Sequence, residues 1–437
     1  MITAGIDIGT TSISAVLWDA KAKKQLDSKT IPNNTRIKTE AFMHEQDAQK
    51  IISVCLEVIG QWKAAYPQIG RIGITGQMHG IVYVGQEGNL LSSLITWQDE
   101  RGNQPYKDGV SYARYLQDQT GYPMSTGYGL TTHFCQTVQN RIPEGAVRIC
   151  TIMDYLAMVL CKEKEPVIHP SNAASLGLFD IQGCRFDEEA VRRAGMDPSF
   201  LPKVISGEQV IGTMADGTEV LIPIGDNQAG TYAVLTNPKD VLVNLGTSSQ
   251  ISMICDRYTI KPGLECRPYV KGKYLLLYAG LCGGVSFAML NNFFQEVCRI
   301  FSAEASKEEV YARMMEEAEK ACSNPDALTV STLFRGKRSD PSLRGSVTNI
   351  DMNNFTPGNL ILGFYRGVIG ELMEAYRQME AAENGGELLL GGNALRRNPL
   401  LRRLCGEMFG RKVRLLELKE EAALGAAFLA ADEAASR

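Results

Sequence analysis

Histidine is scarce in this chain, with four residues in 437, and the eleven cysteines form neither a Cys-x-x-Cys pair nor a Cys/His cluster. That is poor material for a zinc site or a disulfide framework, and it favours thiols kept reduced. A basic excess is also missing. The formal net charge is -4, so a nucleic-acid partner held by phosphate contacts would have little counterion release to drive it. No apolar run reaches the length of a membrane span. The N-terminus enters a strand-like segment directly, without a basic region and apolar stretch of the signal-peptide kind. Low-complexity segments and short-period repeats are absent as well. These absences predict a cytoplasmic protein that engages neither nucleic acid nor membrane. Its composition, 44% hydrophobic and 22% charged, is that of an ordinary globular protein, and its length suits two domains.

What is present is organised around Met1-Ile-Thr-Ala-Gly-Ile-Asp-Ile-Gly-Thr-Thr-Ser12. Residues 2–8 read as a buried strand, Gly9 turns the chain, and residues 13–18 read as a second strand, which makes a hairpin. Thr10, Thr11 and Ser12 supply hydroxyls and N–H groups to a turn suited to an anion. Asp7 sits beside it, and a carboxylate next to a phosphate makes sense if a cation such as Mg²⁺ lies between them. The pattern returns at Val241-Leu-Val-Asn-Leu-Gly-Thr-Ser-Ser-Gln-Ile-Ser252, with Gly246 and Thr247 in the turn. Either each copy is an ordinary hairpin, or two similar domains face one nucleotide. Asn237-Pro238 then marks the expected boundary, giving domains 1–236 and 237–437.

Between the hairpins, apolar spacing predicts helices over 45–65, 112–120 and 152–161. Gly76-Gln77-Met78-His79-Gly80 closes a predicted strand, where ligand sites of α/β sheets tend to lie. Thr96-Trp97-Gln98-Asp99-Glu100-Arg101 could floor a sugar, or it could be a packed Trp with a surface ion pair. His169-Pro-Ser-Asn172-Ala-Ala-Ser175 reads as a polar turn that offers Asn172 to a substrate. At Gly225-Asp226 the glycine leaves room for a ligand. Asp226 is either a helix N-cap or a base for a substrate hydroxyl, and local sequence leaves both open. Gly391-Gly392-Asn393 would let backbone lie flat against an adenine ring, or it is a plain strand–turn–helix.

Taken together, these residues resemble the FGGY family of carbohydrate kinases, from Gly5-Ile-Asp-Ile-Gly-Thr-Thr-Ser12 to Glu421-Ala-Ala-Leu-Gly-Ala-Ala427. The resemblance implies an α/β fold of two ribonuclease-H-like domains of the actin/hexokinase/Hsp70 type, each with a mixed five-stranded sheet, and an interdomain cleft for ATP and a sugar. It implies that Asp7 holds Mg²⁺, that Thr10 and Thr11 approach the terminal phosphate, and that Gly246 and Thr247 form a second phosphate turn. Gly391, Gly392 and Asn393 would line the adenosine site, Asp226 would be the general base, and Gln77, Met78, His79, Trp97 and Asn172 would contact the sugar. Gln77-Met78-His79-Gly80 looks like the ketose kinases, whereas glycerol kinases carry an Arg-Glu pair where Met78 and His79 stand. Thr96-Trp97-Gln98-Asp99, Asn172-Ala-Ala-Ser175 and Gly127-Tyr128-Gly129 look most like the sedoheptulokinase branch. One departure is Thr132 and Cys135, where many members have a Lys-x-x-Trp. The implied reaction is ATP-dependent phosphorylation of a ketose, sedoheptulose to sedoheptulose 7-phosphate. The alternatives are a xylulokinase or other pentulose kinase, a non-catalytic sugar or nucleotide sensor, and an actin-like assembly protein. A homodimer is compatible with each.

Overall fold

In a computed structural model, which describes residues 1–323, 328–337, 340, 342–380 and 385–432, the first hairpin forms from the expected residues. Strands Ile2–Ile8 and Ser12–Asp19 pair antiparallel, with Asp7 opposite Ser14 and Ile8 opposite Ile13. β-branched residues dominate the first, and Ile6, Ile8, Ile13 and Leu17 are buried, which suits strands covered on both faces.

The chain divides into two compact units. The first holds Met1–Val234, Arg267–Tyr274 and the chain from Leu418 on, and the second holds Leu235–Cys266 and Leu275–Glu417. The simple cut at 236/237 therefore does not describe these units, because the chain returns to the first one at its end. The reason is steric. A Cβ built on Gly5 would lie 1.9 Å from the Ala423 carbonyl oxygen, and one on Gly73 2.1 Å from that of Ala426. A Cβ on Gly425 would lie 1.8 Å from the Ala229 oxygen. Helix Glu421–Ala431 thus packs backbone to backbone on strands Ile2–Ile8 and Ile69–Gly76 and on helix Asp226–Val234, an approach only glycine permits.

The sheet of the first unit has seven strands rather than five. Its order is Val210–Thr213, Glu219–Leu221, Ile69–Gly76, Ile2–Ile8, Ser12–Asp19, Lys24–Pro32, with Ile224–Gly225 also paired to Ile69–Gly76. Helix Ala48–Ala65 covers it, burying Ile51, Ile52, Cys55, Val58, Ile59 and Trp62. This helix starts later than the predicted 45 because Glu45–Gln46 pairs with Arg36–Ile37 and Leu94–Ile95. Asp47 then caps it by accepting from Lys50 N at 3.0 Å. One further local expectation changes: the polar turn at 169–175 is a short helix, Pro170–Leu176, with the His169 ring as its cap. Helices 112–120 and 152–161 form as predicted.

The second unit has a mixed six-stranded sheet in the order Glu265–Pro268, Tyr274–Gly280, Ser249–Cys255, Val241–Leu245, Leu388–Gly391, Val413–Leu415. Val241–Leu245 runs antiparallel to Ser249–Cys255 and parallel to Leu388–Gly391, with Asn244 opposite Gly391. Val243, Phe287, Met314, Leu362, Val368 and Leu390 belong to its core. Among the described residues no helix is long and apolar enough to cross a membrane.

Candidate active site

Strand Ile69–Gly76 runs parallel to both Ile2–Ile8 and Ile224–Gly225, and Gly76 lies opposite Ile8 on one side and Gly225 on the other. Asp7 and Asp226 therefore come off the carboxyl ends of two strands that flank the same third strand. Ligands of open α/β sheets bind at that edge. Burial, then the charge of Asp226, then that of Glu420 raise the Asp7 carboxyl to about 7. Its Oδ1 is buried without a hydrogen-bond partner. Burial also raises Asp226, to about 6, against the opposing pull of the Asn227 N–H and the Arg267 charge.

The sequence left Asp226 between cap and base. In the structure it opens helix Asp226–Val234, and its Oδ1 accepts from Asn227 N at 2.7 Å. That is the adjacent N–H, not the one two or three residues on that a capping side chain takes. The turn before it is held from three sides. Asn172 Nδ2 donates to the Pro223 carbonyl at 3.2 Å, Thr75 Oγ1 to that of Ile224 at 2.8 Å, and Gly225 N to Ser171 Oγ at 3.2 Å. Asn172 is fully buried, so it holds this turn and does not reach an open surface. Gly225 offers a ligand no room either. A Cβ there would lie 2.5 Å from Gln228 Oε1 and 2.6 Å from Met78 Sδ, so the space belongs to protein.

The turn after Asp7 belongs to a polar network. Trp97 Nε1 donates to Thr10 Oγ1 at 2.9 Å, and Thr10 Oγ1 donates to Gln77 Oε1 at 3.3 Å. Gln77 Nε2 donates to Gln46 Oε1 at 2.8 Å, and Gln46 Nε2 to the Thr10 carbonyl at 2.8 Å. Gln77 is only 2% exposed and both ends of its amide are engaged, so it shapes the Thr10 turn. Thr11 is exposed, and Ser12 is half-buried at the start of the second strand. Trp97 is 47% exposed, which leaves an indole face open. The acid and base that follow it are buried rather than at the surface. Arg101 pairs with Asp99 at 2.6 Å and Glu45 at 2.8 Å. Met78 is buried against Gly225. His79 adopts φ +72°, donates from Nδ1 to the Ser175 carbonyl at 2.6 Å, and stacks on Tyr128 with centroids 4.9 Å apart.

In the second unit, Gly246 and Thr247 occupy the hairpin turn. Gly284 N donates to the Gly246 carbonyl at 2.7 Å, and Gly283 N to that of Thr247 at 3.1 Å. Helix Gly284–Ile300 therefore starts directly against this turn. Gly391 ends its strand with ordinary room around it, since the nearest atom to a built Cβ is 3.6 Å away. Gly392 has φ +92° and would strike the Leu245 carbonyl oxygen at 2.3 Å, so its glycine is a packing requirement. Asn393 is exposed at the start of the following helix.

Sequence reasoning missed Gln46, Ser171, Arg267 and Glu420. Ser171 stands inside the stretch read for Asn172, and the other three lie in no recognisable motif. Each reaches the site only because a strand, helix or returning segment carries it there.

Two family models match the chain. One, the N-terminal domain of the FGGY family of carbohydrate kinases, covers residues 2–226, and the other, the C-terminal domain of that family, covers residues 241–434. The chain is 27% identical over 443 residues to a sedoheptulokinase from Homo sapiens, covering 92% of this chain and 91% of that one. It is 23% identical to a xylulose kinase from Streptomyces coelicolor, covering 98% and 87%. The structure is similar to that of xylulose kinase from Rhodospirillum rubrum, with a TM-score of 0.84 at 20% identity and coverage of 99% and 90%. The two models together span nearly the whole chain, and the chain belongs to the FGGY family of carbohydrate kinases, enzymes that phosphorylate sugars with ATP.

Proposed function

We propose that this kinase phosphorylates the terminal hydroxyl of a ketose, sedoheptulose, with Asp226 as general base. The observation that carries the reading is Asp226 itself. It is a carboxyl raised to about 6, set on a turn pinned by three hydrogen bonds, at the same sheet edge as Asp7. A base of that strength is ionised at neutral pH yet accepts a proton as the hydroxyl attacks, a contribution of roughly 10²–10⁴-fold. The exposed face of Trp97 suits the C–H face of a sugar, and the first unit is read as the sugar-binding half. The Gly246-Thr247 turn and Gly391-Gly392-Asn393 are read as the phosphate and adenosine contacts of the second.

Asp7 fits a magnesium ion. Its orphaned Oδ1 is a hard oxygen donor, and the like charges of Asp226 and Glu420 around it are what a cation would relieve. Among the described residues no group of three or more His, Cys, Asp and Glu could hold a metal alone. This matches the magnesium mode of one or two carboxylates completed by phosphate and water. When bound, the ion would neutralise charge on the transferring phosphoryl group.

The choice of sedoheptulose is supported by the 27% identical relative of that name; xylulose is the runner-up, from the 23% identical one. A coupled ADP-release assay with ATP and Mg²⁺ against ketoses, aldoses and polyols separates them. Release on sedoheptulose well above the rest is expected, and preference for xylulose or ribulose would discard that substrate. Asp226→Asn is expected to lower turnover by roughly 10²–10⁴-fold while nucleotide still binds by calorimetry. Near-normal turnover would sink the base assignment.

A further inference from the structure

Behind the turn that carries Asp226 lies a second layer of buried polar groups to which the sequence reading gave no role. His169 and Ser171 are each 1% exposed, and the Glu208 side chain is 10% exposed. The His169 ring faces Glu208, with Nε2 3.3 Å from Oε1. On its other side, Nδ1 accepts from Ser171 N at 3.1 Å and lies 2.8 Å from Ser171 Oγ. Ser171 Oγ in turn accepts from Gly225 N at 3.2 Å, the peptide immediately before Asp226.

The protons in this chain follow from the donors. A backbone N–H always donates, so Nδ1 is the unprotonated ring nitrogen and the ring proton sits on Nε2, aimed at Glu208. Because Nδ1 accepts, the Ser171 hydroxyl donates to it and keeps a lone pair for Gly225 N. Glu208 thus selects the ring tautomer whose bare Nδ1 accepts from both the Ser171 N–H and the Ser171 hydroxyl, fixing the oxygen that holds Gly225. The same Glu208 oxygen also accepts from Lys271 N at 2.9 Å. Lys271 belongs to the returning segment Arg267–Tyr274, whose Arg267 charge lowers Asp226. One carboxylate therefore anchors both the backbone before the base and the segment carrying the cation that acts on it.

We infer that Glu208 and His169 are positioning residues for Asp226, acting through Ser171 and the Gly225 peptide. The inference rests on the reading of Asp226 as the base. A misplacement of a base by about an ångström costs on the order of 10²-fold, so a loosened Gly225 peptide registers in turnover.

The test separates positioning from helix capping and from general stability. His169→Asn keeps a good N-cap for helix Pro170–Leu176 but cannot reach Glu208. Glu208→Ala breaks the anchor, whereas Glu208→Gln keeps an acceptor oxygen for both the ring and Lys271 N. Positioning predicts that His169→Asn and Glu208→Ala lower kcat by about 10- to 100-fold, that KM for ATP stays within about twofold, and that Glu208→Gln restores most of kcat. It also predicts that Glu208→Ala adds little further loss in an Asp226→Asn background, because the group being positioned is gone. Wild-type kcat in His169→Asn, or a full additional loss in the Asp226→Asn background, overturns the inference and leaves the base in place. Near-normal turnover of Asp226→Asn alone overturns the base reading, and the inference falls with it. If Glu208→Ala does not fold, His169→Asn and Glu208→Gln still decide.

Discussion

Asp7 and Asp226 show how burial and charge turn two ordinary carboxylic acids into groups that titrate near neutrality. Burial is the largest cause for each, and for Asp7 the Asp226 charge adds to it. If Asp226 is the base, kcat/KM should fall as pH drops through about 6, because the protonated carboxyl cannot accept the hydroxyl proton. A pH–rate profile whose acid limb lies near 4 would contradict this. Stability should run the other way. Both carboxyls hold protons more tightly in the folded chain than in the unfolded one. Their penalty is therefore absent below about 3.8 and complete above about 7 for Asp7. Asp7→Asn should accordingly raise Tm at pH 8, by about 2–4 °C for each kcal/mol of repulsion and burial relieved. The gain should fade toward pH 4, as differential scanning calorimetry across pH would show. If Asp7 holds the magnesium ion, activity is the cost of that gain. Trp97 carries two separable features, its open face and its Nε1–H on Thr10.

At the scale of elements, glycines of one appearance have different jobs. Gly425 lets helix Glu421–Ala431 touch the backbone of helix Asp226–Val234, with 1.8 Å between a built Cβ and the Ala229 oxygen. Gly425→Ala must push the helix off, at a cost of about 1–3 kcal/mol, measurable as a fall in Tm. Gly391 has no such contact within 3.6 Å, so Gly391→Ala should leave Tm unchanged. If adenosine lies there, the same substitution should weaken ATP binding by about tenfold or more, through loss of a well-fitted contact. Unchanged binding by calorimetry would remove Gly391 from the nucleotide site. Both glycines stand in motifs that resemble the family, and only their neighbours tell packing from binding.

For the whole molecule, the consequence lies in the chain path. The first unit is completed by residues from 418 on, and Gly5 and Gly73 present bare backbone to that returning helix. A fragment of residues 1–236 should therefore lack the cover of its own sheet and yield little soluble, cooperatively folding protein. Linking residues 418–432 to its end should restore a cooperative transition by circular dichroism. Independent folding of 1–236 alone would show that the helix adds stability without being required.

Much of this was written locally. The strand over Ile2–Ile8, the repeated Gly-Thr-Ser hairpin and the helices over 112–120 and 152–161 follow from short-range periodicity and turn chemistry. That is because backbone geometry is governed by residues a few positions apart. Asp7 and Asp226 stood out as candidates for chemistry for the same reason. What local pattern did not decide was what each side chain meets. Asn172 looked like a sugar contact and is a buried strut. Gly225 looked like space and is filled by Met78 and Gln228. Residues 169–175 read as a turn but form a helix capped by a histidine that Glu208 orients. Those outcomes depend on groups that are distant in the chain and meet only when the sheet, its flanking helices and the returning C-terminal helix close around them. The residue types that could carry the chemistry were set by sequence alone, and tertiary packing decided which of them remain free to perform it.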